Sequence, residues 1–125
     1  MNFAENCKYT KDHEWLKEEG ELCVIGITDF AQSELGDIVF VNLPEVGDEV
    51  TAGESFGDVE SVKAVADVNS PVTGVVAEIN EELLDAPETI NSDPYGAWFI
   101  KVENATDKVE LMDEPSYKEF CESQK

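Results

Sequence analysis

Arginine is absent from this chain of 125 residues, and lysine supplies all eight of its strongly basic side chains. Against them stand 29 acidic residues, which gives a net charge of −21 at pH 7. A field of this sign repels nucleic-acid phosphates and anionic lipid headgroups, so we expect binding to neither nucleic acid nor membrane. Protein partners that present basic patches fit such a surface better.

Cysteine and histidine are also scarce. Cys7, Cys23 and Cys121 form no CxxC pair, and His13 alone cannot complete an ordinary zinc site, so no metal is expected. Widely spaced thiols of odd number are typical of a reducing compartment. We find no signal peptide, transit peptide or apolar run of about 20 residues. The expected location is the cytoplasm, or the mitochondrial matrix if a presequence has been removed.

Short apolar runs separated by turn residues predict a mainly β fold. A helix is predicted from Thr28 and Asp29 to Gly36, followed later by a helical turn near residues 81–84. Pro115 favours the start of a C-terminal helix. We expect one domain over residues 1–125, built as a small β-barrel or sandwich with marginal helices. The predicted strands cover residues 22–27, 38–41, 50–52, 54–62, 64–68, 75–79 and 98–102.

One short motif occurs twice in the sequence. Residues 41–47 and 68–74 both read V-N-x-P-x-x-G. Asn, Pro and Gly are common turn residues, so two copies can arise without duplication. We favour the alternative, a duplicated strand–turn–strand unit with approximate twofold symmetry.

The residues of conventional catalysis are thinly represented. His13 is the only partner for a Ser–His or Cys–His pair, and no serine stands in a G-x-S-x-G setting. Cys23 lies in an apolar run, where a thiol is usually inert core. Phosphate, dinucleotide and calcium loops are missing. With 29 acids, neighbouring carboxylates are expected by chance. The residues do not indicate an enzyme with its own active site.

Lys63 stands apart from the other lysines. Valine-rich arms flank it within residues 57–71, so this segment can fold back as a hairpin with Lys63 near its tip. Its neighbours Ser61, Val62 and Ala64 carry no charge. An amine on a protruding tip is accessible to an acyl-transferring enzyme. A hairpin lysine retained for solubility or edge protection would show the same pattern. The alternation of apolar and polar residues does not decide between a modified lysine and a structural one.

At these residues the chain resembles the H protein of the glycine cleavage system. The likeness centres on G-x-V-E-S-V-K-A at 57–64 and D-V-N-S-P at 67–71. Several independent blocks in the same order are more specific than a single lysine motif, and together they cover residues 8–120. The further blocks are H-E-W at 13–15, G-I-T-D-x-A-Q at 26–32, L-G-D-I-V-F-V at 35–41, L-P-x-x-G at 43–47, I-N-S-D-P-Y at 90–95, and Trp98.

The resemblance implies a non-catalytic carrier with a hybrid barrel-sandwich fold, lipoyl-domain-like, with short flanking helices and a C-terminal helix. Lys63 would carry lipoate in amide linkage. The arm would take an aminomethyl group from the glycine decarboxylase (P protein) and pass it to the aminomethyltransferase (T protein), which feeds one-carbon metabolism. Dihydrolipoyl dehydrogenase (L protein) would reoxidise the arm. Tethering holds the reactive group at about mM effective concentration near a docked partner.

The resemblance also assigns roles around Lys63. A lipoate-attaching enzyme would be a fourth partner, and it would recognise Glu60, Ser61, Val62 and Ala64, although these residues also suit simple hairpin geometry. We also expect a monomer.

Glu14 and Asp67 match family positions in a cleft that shields the loaded arm from water. A carboxylate there can pair with the protonated amine, but both residues also fit an ordinary acidic surface. Two departures from the family pattern are visible. Asp12 adds a carboxylate beside Glu14, and residues 94–98 are compact where many relatives carry an extra residue. The first alters the electrostatics of the cleft, and neither affects Lys63.

Three other functions compete with glycine cleavage. An H-like protein can act as a lipoyl donor for other lipoate-dependent enzymes, and that role uses the same lysine. A biotin carrier typically flanks its lysine with Met, whereas Val62 and Ala64 stand here. A plain acidic binding module does not explain the family blocks in register.

Overall fold

In the computed structural model, which describes residues 6–124, the chain forms two antiparallel sheets. One has six strands in the order β1-β2-β3-β9-β8-β5, and the other has β6 between β4 and β7. The mainly β prediction is confirmed. The strands are β1 (Cys7–Tyr9), β2 (Glu14–Glu19), β3 (Leu22–Ile27), β4 (Ile38–Asn42), β5 (Glu49–Val50), β6 (Ser55–Ser61), β7 (Val65–Asn69), β8 (Gly74–Ile79) and β9 (Ile100–Glu103).

Among the described residues, four short helices lie at the margins: α1 (Asp29–Leu35), α2 (Glu82–Asp85), α3 (Thr89–Ser92) and α4 (Glu114–Ser123). Thr28 caps α1, since its Oγ1 accepts from the Ala31 amide at 3.2 Å, and α1 ends at Gly36 with φ 80°. Asp113 caps α4 through the Ser116 amide at 3.0 Å. The predictions of α1 and α4 are therefore confirmed. Within residues 6–124 no helix is long and apolar enough to cross a membrane.

The core lies between the inward faces of the two sheets. Val59 and Val68 from the small sheet pack with Ile25, Ile100 and Val102 from the large one. A second cluster docks α4 on β1, where the Tyr117 ring stacks on Tyr9 with centroids 4.5 Å apart. The terminal helix is thus held by the packing of its buried Tyr117 and Cys121.

Several element boundaries differ from the sequence-based prediction. β1, β2 and α3 were not predicted. The last strand begins at Ile100 instead of Trp98, because pairing with β3 starts only at Ile25↔Ile100. β5 ends at Val50, because the chain then turns back with the Glu54 amide bonded to the Thr51 carbonyl at 3.0 Å.

The two V-N-x-P-x-x-G copies occupy equivalent places in the topology. Each leads out of an edge strand of the three-stranded sheet, β4 or β7, into a strand of the large sheet, β5 or β8. β5 and β8 then pair with each other. The glycines differ: Gly47 has φ 97°, whereas a Cβ on Gly74 would lie 2.7 Å from the Glu103 carbonyl oxygen. The topology supports a duplicated unit whose turns have diverged.

Candidate functional site

A hairpin of β6 and β7 carries Lys63 at its tip. The pairing runs from Ser55↔Asn69 to Glu60↔Val65. The tip is then closed by the Ser61 amide, which donates to the Ala64 carbonyl at 2.8 Å. Ser61 Oγ accepts from the amides of Lys63 and Ala64 at 3.3 and 3.0 Å. The predicted hairpin with Lys63 at its tip is confirmed, and its backbone is held by its own hydrogen bonds.

The tip is also anchored to the segment before β4. The Val62 amide donates to the Asp37 carbonyl at 3.0 Å. The Lys63 side chain runs beside Gly36, and its Cε would lie 3.5 Å from a Cβ placed there. Lys63 itself is exposed, and it forms none of the salt bridges found within residues 6–124. The amine is therefore presented to solvent on a fixed base.

Exposed apolar side chains surround this tip. We call them the tip patch: Val39 (53 % exposed), Phe40 (50 %), Val62 (69 %) and Val65 (64 %). Phe40 and Val65 both stand opposite Glu60, on the two neighbouring strands. Exposed apolar patches with polar neighbours mark surfaces that bind other proteins.

An apolar groove runs between α1 and the hairpin. Its volume is about 190 Å³. The groove starts close to the lysine, since Leu35 lines it and the next residue, Gly36, lies beside the Lys63 side chain. Its titratable residues are His13, Glu34 and Asp67, and its apolar residues are Ile27, Phe30, Ala31, Leu35, Val59, Ala66 and Val68. Such a lining suits a flexible aliphatic chain.

A second pocket, which we call the acidic pocket, adjoins the far end of β7. It has a volume of about 230 Å³, and Asp12, Glu14 and Asn69 line it. Glu14 is only 2 % exposed. Thr10 Oγ1 donates to Glu14 Oε1 at 2.8 Å, and the Asn69 amide donates to Oε2 at 3.4 Å. Each oxygen of this buried carboxyl therefore accepts one hydrogen bond.

Burial raises the pKa of Glu14 from its ordinary 4.5 to about 7. The negative charge of Asp12 raises this pKa further, whereas the hydrogen bonds from Thr10 and Asn69 oppose the shift. The Glu14 carboxyl is thus divided between its neutral and charged forms near pH 7. A cationic group that enters the pocket would favour the charged form.

Stability should depend on pH through Glu14. Between about pH 4.5 and pH 7 the folded protein holds a proton on Glu14 that the unfolded chain has released. The free energy of unfolding therefore falls as pH rises through this window, by at most about 3 kcal/mol. Glu14→Gln should remove this part of the pH dependence, while Glu78→Gln, at the exposed position of β8, should retain it. Urea unfolding from pH 4.5 to 8 measures the difference, and parallel curves for wild type and Glu14→Gln would contradict the expectation.

His13 has a structural role that the sequence did not reveal. It adopts φ 67°, and its ring stacks on Phe30 with centroids 4.4 Å apart. Its Nδ1 lies 2.8 Å from the Tyr117 hydroxyl, which lies 2.6 Å from Thr28 Oγ1. Burial lowers the pKa of His13, with Asp12 and Glu34 opposing. This network ties α4 to the start of α1 at the wall of the groove.

The structure brings together most of the residues that the sequence singled out. Asp67 is exposed on β7, directly opposite Asp58, and it lines the groove. Glu14 lines the acidic pocket instead. The two residues predicted to share a cleft, Glu14 and Asp67, therefore face two neighbouring spaces. Thr10 and Asn69, the partners of Glu14, were missed. The five residues at the hairpin tip are Glu60, Ser61, Val62, Lys63 and Ala64.

A two-sheet β fold that presents a lysine on a rigid hairpin tip defines a class of carrier proteins, which hold a prosthetic group on a swinging side chain. Three comparisons identify the family within this class. The family model described as "Glycine cleavage H-protein" matches residues 7–124. The glycine cleavage system H protein of Treponema denticola is 58 % identical over 121 residues, covering 97 % of this chain and 99 % of the relative.

The H protein of Lachnoclostridium phytofermentans is also 58 % identical, over 125 residues, covering 99 % of this chain and 98 % of the relative. A crystal structure of the H protein from Mycobacterium marinum superposes with a TM-score of 0.88 at 43 % identity, covering 94 % of this chain and 97 % of that one. The chain belongs to the glycine cleavage H-protein family. It is a non-catalytic lipoyl carrier of the glycine cleavage system, which also comprises the P, T and L proteins.

Proposed function

We propose that Lys63 is the residue that carries the lipoyl group. The observation that supports this is the exposed Lys63 side chain on a hairpin tip whose backbone is closed by hydrogen bonds. The apolar groove that starts beside Gly36 fits an aliphatic arm attached there. Lipoate supplies a dithiolane that accepts the aminomethyl group and is reduced in doing so.

The test of this assignment is peptide mass spectrometry after incubation of the unmodified protein with lipoate, ATP and a lipoate–protein ligase. A lipoyl increment on the peptide that contains Lys63 is the expected result. An increment on any other lysine, or none on a protein shown to be folded, would contradict the assignment.

We propose that the lipoate-attaching enzyme recognises Glu60, Ser61, Val62 and Ala64. Ser61 shapes the turn through its hydroxyl, and Val62 presents an apolar side chain beside the amine. Glu60 stands between Phe40 and Val65 on the outer face. An enzyme that binds the tip therefore meets an acid framed by apolar side chains.

The chain is proposed to act as a single domain and as a monomer in the cytoplasm. One continuous core joins the two sheets, which supports a single domain. The net charge of −21 opposes self-association. The relatives named above come from bacteria, which supports the cytoplasm as the location.

We also propose that the groove and the acidic pocket together shield the carried aminomethyl group. They follow one another along β7, with Asp67 at the groove and Asn69 at the pocket. The groove offers apolar surface, and Glu14 offers a buried carboxylate for the terminal ammonium. Both spaces exclude part of the surrounding water from the cargo.

Replacing Glu14 with Gln should speed the loss of this cargo while leaving lipoylation unchanged. The amide keeps the shape of the side chain but cannot neutralise an ammonium. A hydrogen bond to a charged group contributes about 1.5–3 kcal/mol, so the loss should be about 10- to 100-fold faster. Release of ammonia from the loaded protein, followed over time in the absence of the P and T proteins, measures it. Glu78→Gln is the matched control. Equal release rates for the two variants would contradict the proposed role of Glu14 in holding the cargo.

A further inference from the structure

We propose that Asn91 is a positioning residue for Lys63, and that it acts by fixing the peptide unit on which the hairpin tip is anchored. This inference rests on the proposed role of Lys63 as the lipoyl carrier. Asn91 lies in α3 and is half-buried. It acts through the backbone of residues 36–38, where α1 ends and β4 begins.

The side chain of Asn91 binds this segment at two points. Its Nδ2 donates to the Gly36 carbonyl at 2.8 Å, and its Oδ1 accepts from the Ile38 amide at 2.9 Å. Nδ2 also donates to Gln32 Oε1 at 3.0 Å. Both partners of Nδ2 are carbonyl oxygens and the partner of Oδ1 is an N–H group, so the orientation of the side-chain amide is fixed by its neighbours.

The hairpin tip is bonded to the opposite edge of the same peptide unit. The Asp37 carbonyl and the Ile38 N–H belong to one planar trans peptide, in which they point in opposite directions. Asn91 accepts from the N–H on one edge, and the Val62 amide donates to the carbonyl on the other edge at 3.0 Å. We call this second bond the tip anchor. The orientation of the peptide plane therefore sets where the tip is held.

The Lys63 side chain lies beside the same segment. Its Cε would be 3.5 Å from a Cβ placed on Gly36, the residue whose carbonyl Asn91 binds. Leu35, which precedes Gly36, lines the apolar groove. Asn91 thus fixes the backbone at the point where the root of the arm passes towards the groove.

Asn91 is itself connected to the core. The preceding residue, Ile90, is fully buried and packs in the core between the two sheets. Gln32, which accepts from Asn91, donates through Nε2 to Asp29 Oδ1 at 2.6 Å and so joins Asn91 to the start of α1. A chain of contacts therefore runs from the core through Asn91 to the tip anchor.

The tip does not need Asn91 for its own shape. The Ser61 amide donates to the Ala64 carbonyl at 2.8 Å, and this bond lies within the tip. Loss of Asn91 should therefore weaken the tip anchor at Val62 and leave the tip closed. Amide hydrogen exchange separates the two effects, because a general loss of stability accelerates both amides and a loss of positioning accelerates Val62 alone.

The experiment measures amide exchange by NMR in the unmodified full chain. Asn91→Ala removes the hydrogen bonds to Gly36, Ile38 and Gln32, and we expect exchange of the Val62 amide to become about 3- to 10-fold faster, as for the net loss of one ordinary hydrogen bond. Exchange of the Ser61 amide should not change. Asn91→Asp keeps the acceptor for Ile38 but has no donor at pH 7, so it should give a smaller increase at Val62.

Asn80→Ala is the matched control. Asn80 Oδ1 accepts from the Glu82 amide at 3.3 Å at the start of α2, so this variant also loses a side-chain acceptor of a backbone amide. It should leave Val62 exchange unchanged. Equal acceleration at Val62 and Ser61, equal acceleration at Val62 in the Asn80 and Asn91 variants, or no acceleration at Val62 would overturn the proposal. If Asn91→Ala does not fold, the same comparisons made with Asn91→Asp decide.

The effect on the arm is measured on the lipoylated protein loaded with the aminomethyl group. Ammonia should be released about 2- to 10-fold faster from Asn91→Ala than from Asn80→Ala, because a displaced root draws the cargo away from the groove. Equal release would show that the tip anchor does not position the arm, and would overturn the proposal. A lipoyl group on a lysine other than Lys63 would instead count against the carrier assignment, and the Val62 exchange rates would be unaffected by that result.

Discussion

Lys63→Arg is expected to abolish lipoylation and glycine cleavage completely, with no loss of stability. Arginine keeps the charge and the length of the side chain, but its guanidinium does not form the amide that a lysine amine forms. The tip is closed by backbone groups and by Ser61, and Lys63 contributes only its backbone amide to this network. The fold should therefore be unaffected.

The measurements are intact mass after ligase treatment, glycine-dependent CO₂ release with the P, T and L proteins, and thermal unfolding. Lys17→Arg, at an exposed position of β2, is the matched control and should behave like wild type. Normal glycine cleavage by Lys63→Arg would refute the assignment of the arm. A large drop in its melting temperature would show that Lys63 has a structural role instead.

Gly57→Ala is expected to be the most destabilising of the substitutions considered, although it adds one methyl group to a half-buried position. Gly57 lies in β6, and a Cβ there would overlap the backbone carbonyl oxygen of Asn42 at the end of β4. A backbone atom cannot turn aside as a flexible side chain can. The strands must separate, and the expected loss is about 1–3 kcal/mol of unfolding free energy.

Thermal and urea unfolding measure this loss, with Glu54→Ala as the control. Glu54 precedes β6, and its side chain is exposed, so the same new residue type should change stability by less than about 0.5 kcal/mol. Since β6 carries Lys63 into the tip, lipoylation of Gly57→Ala should also slow. A melting temperature equal to wild type would show that β4 and β6 can move apart without cost.

The hairpin could be predicted from the sequence because its information is local. Valine-rich arms, a short uncharged tip and one lysine are all found within residues 57–71. β2 could not be predicted in this way. Its sequence, EWLKEE, has a polar half that is exposed, and it becomes a strand because β1 and β3 pair with it on either side.

The groove and the acidic pocket likewise could not be predicted from local sequence patterns. Glu14 was selected by family resemblance, but burial raises its pKa, and its carboxyl accepts a hydrogen bond from the amide of Asn69, which is 55 residues away. The groove wall depends on a contact between His13 and Tyr117, 104 residues apart. Patterns within a single sequence do not show contacts between residues so far apart. That Asp12, Glu14 and Asn69 line one pocket could therefore be found only from the structure.

The closed turn at the hairpin tip also has an entropic consequence for every enzyme that visits it. Fixing the backbone of one residue costs about 1–2 kcal/mol, and a loose loop of four residues would impose that cost on each encounter. Here the hydrogen bonds of Ser61, Val62 and Ala64 have already imposed it during folding. With the lipoyl group on Lys63, as proposed, a partner needs to order only this side chain and its cargo. Brief, repeated visits to three different active sites favour such a preordered base, because each complex must form readily and also dissociate.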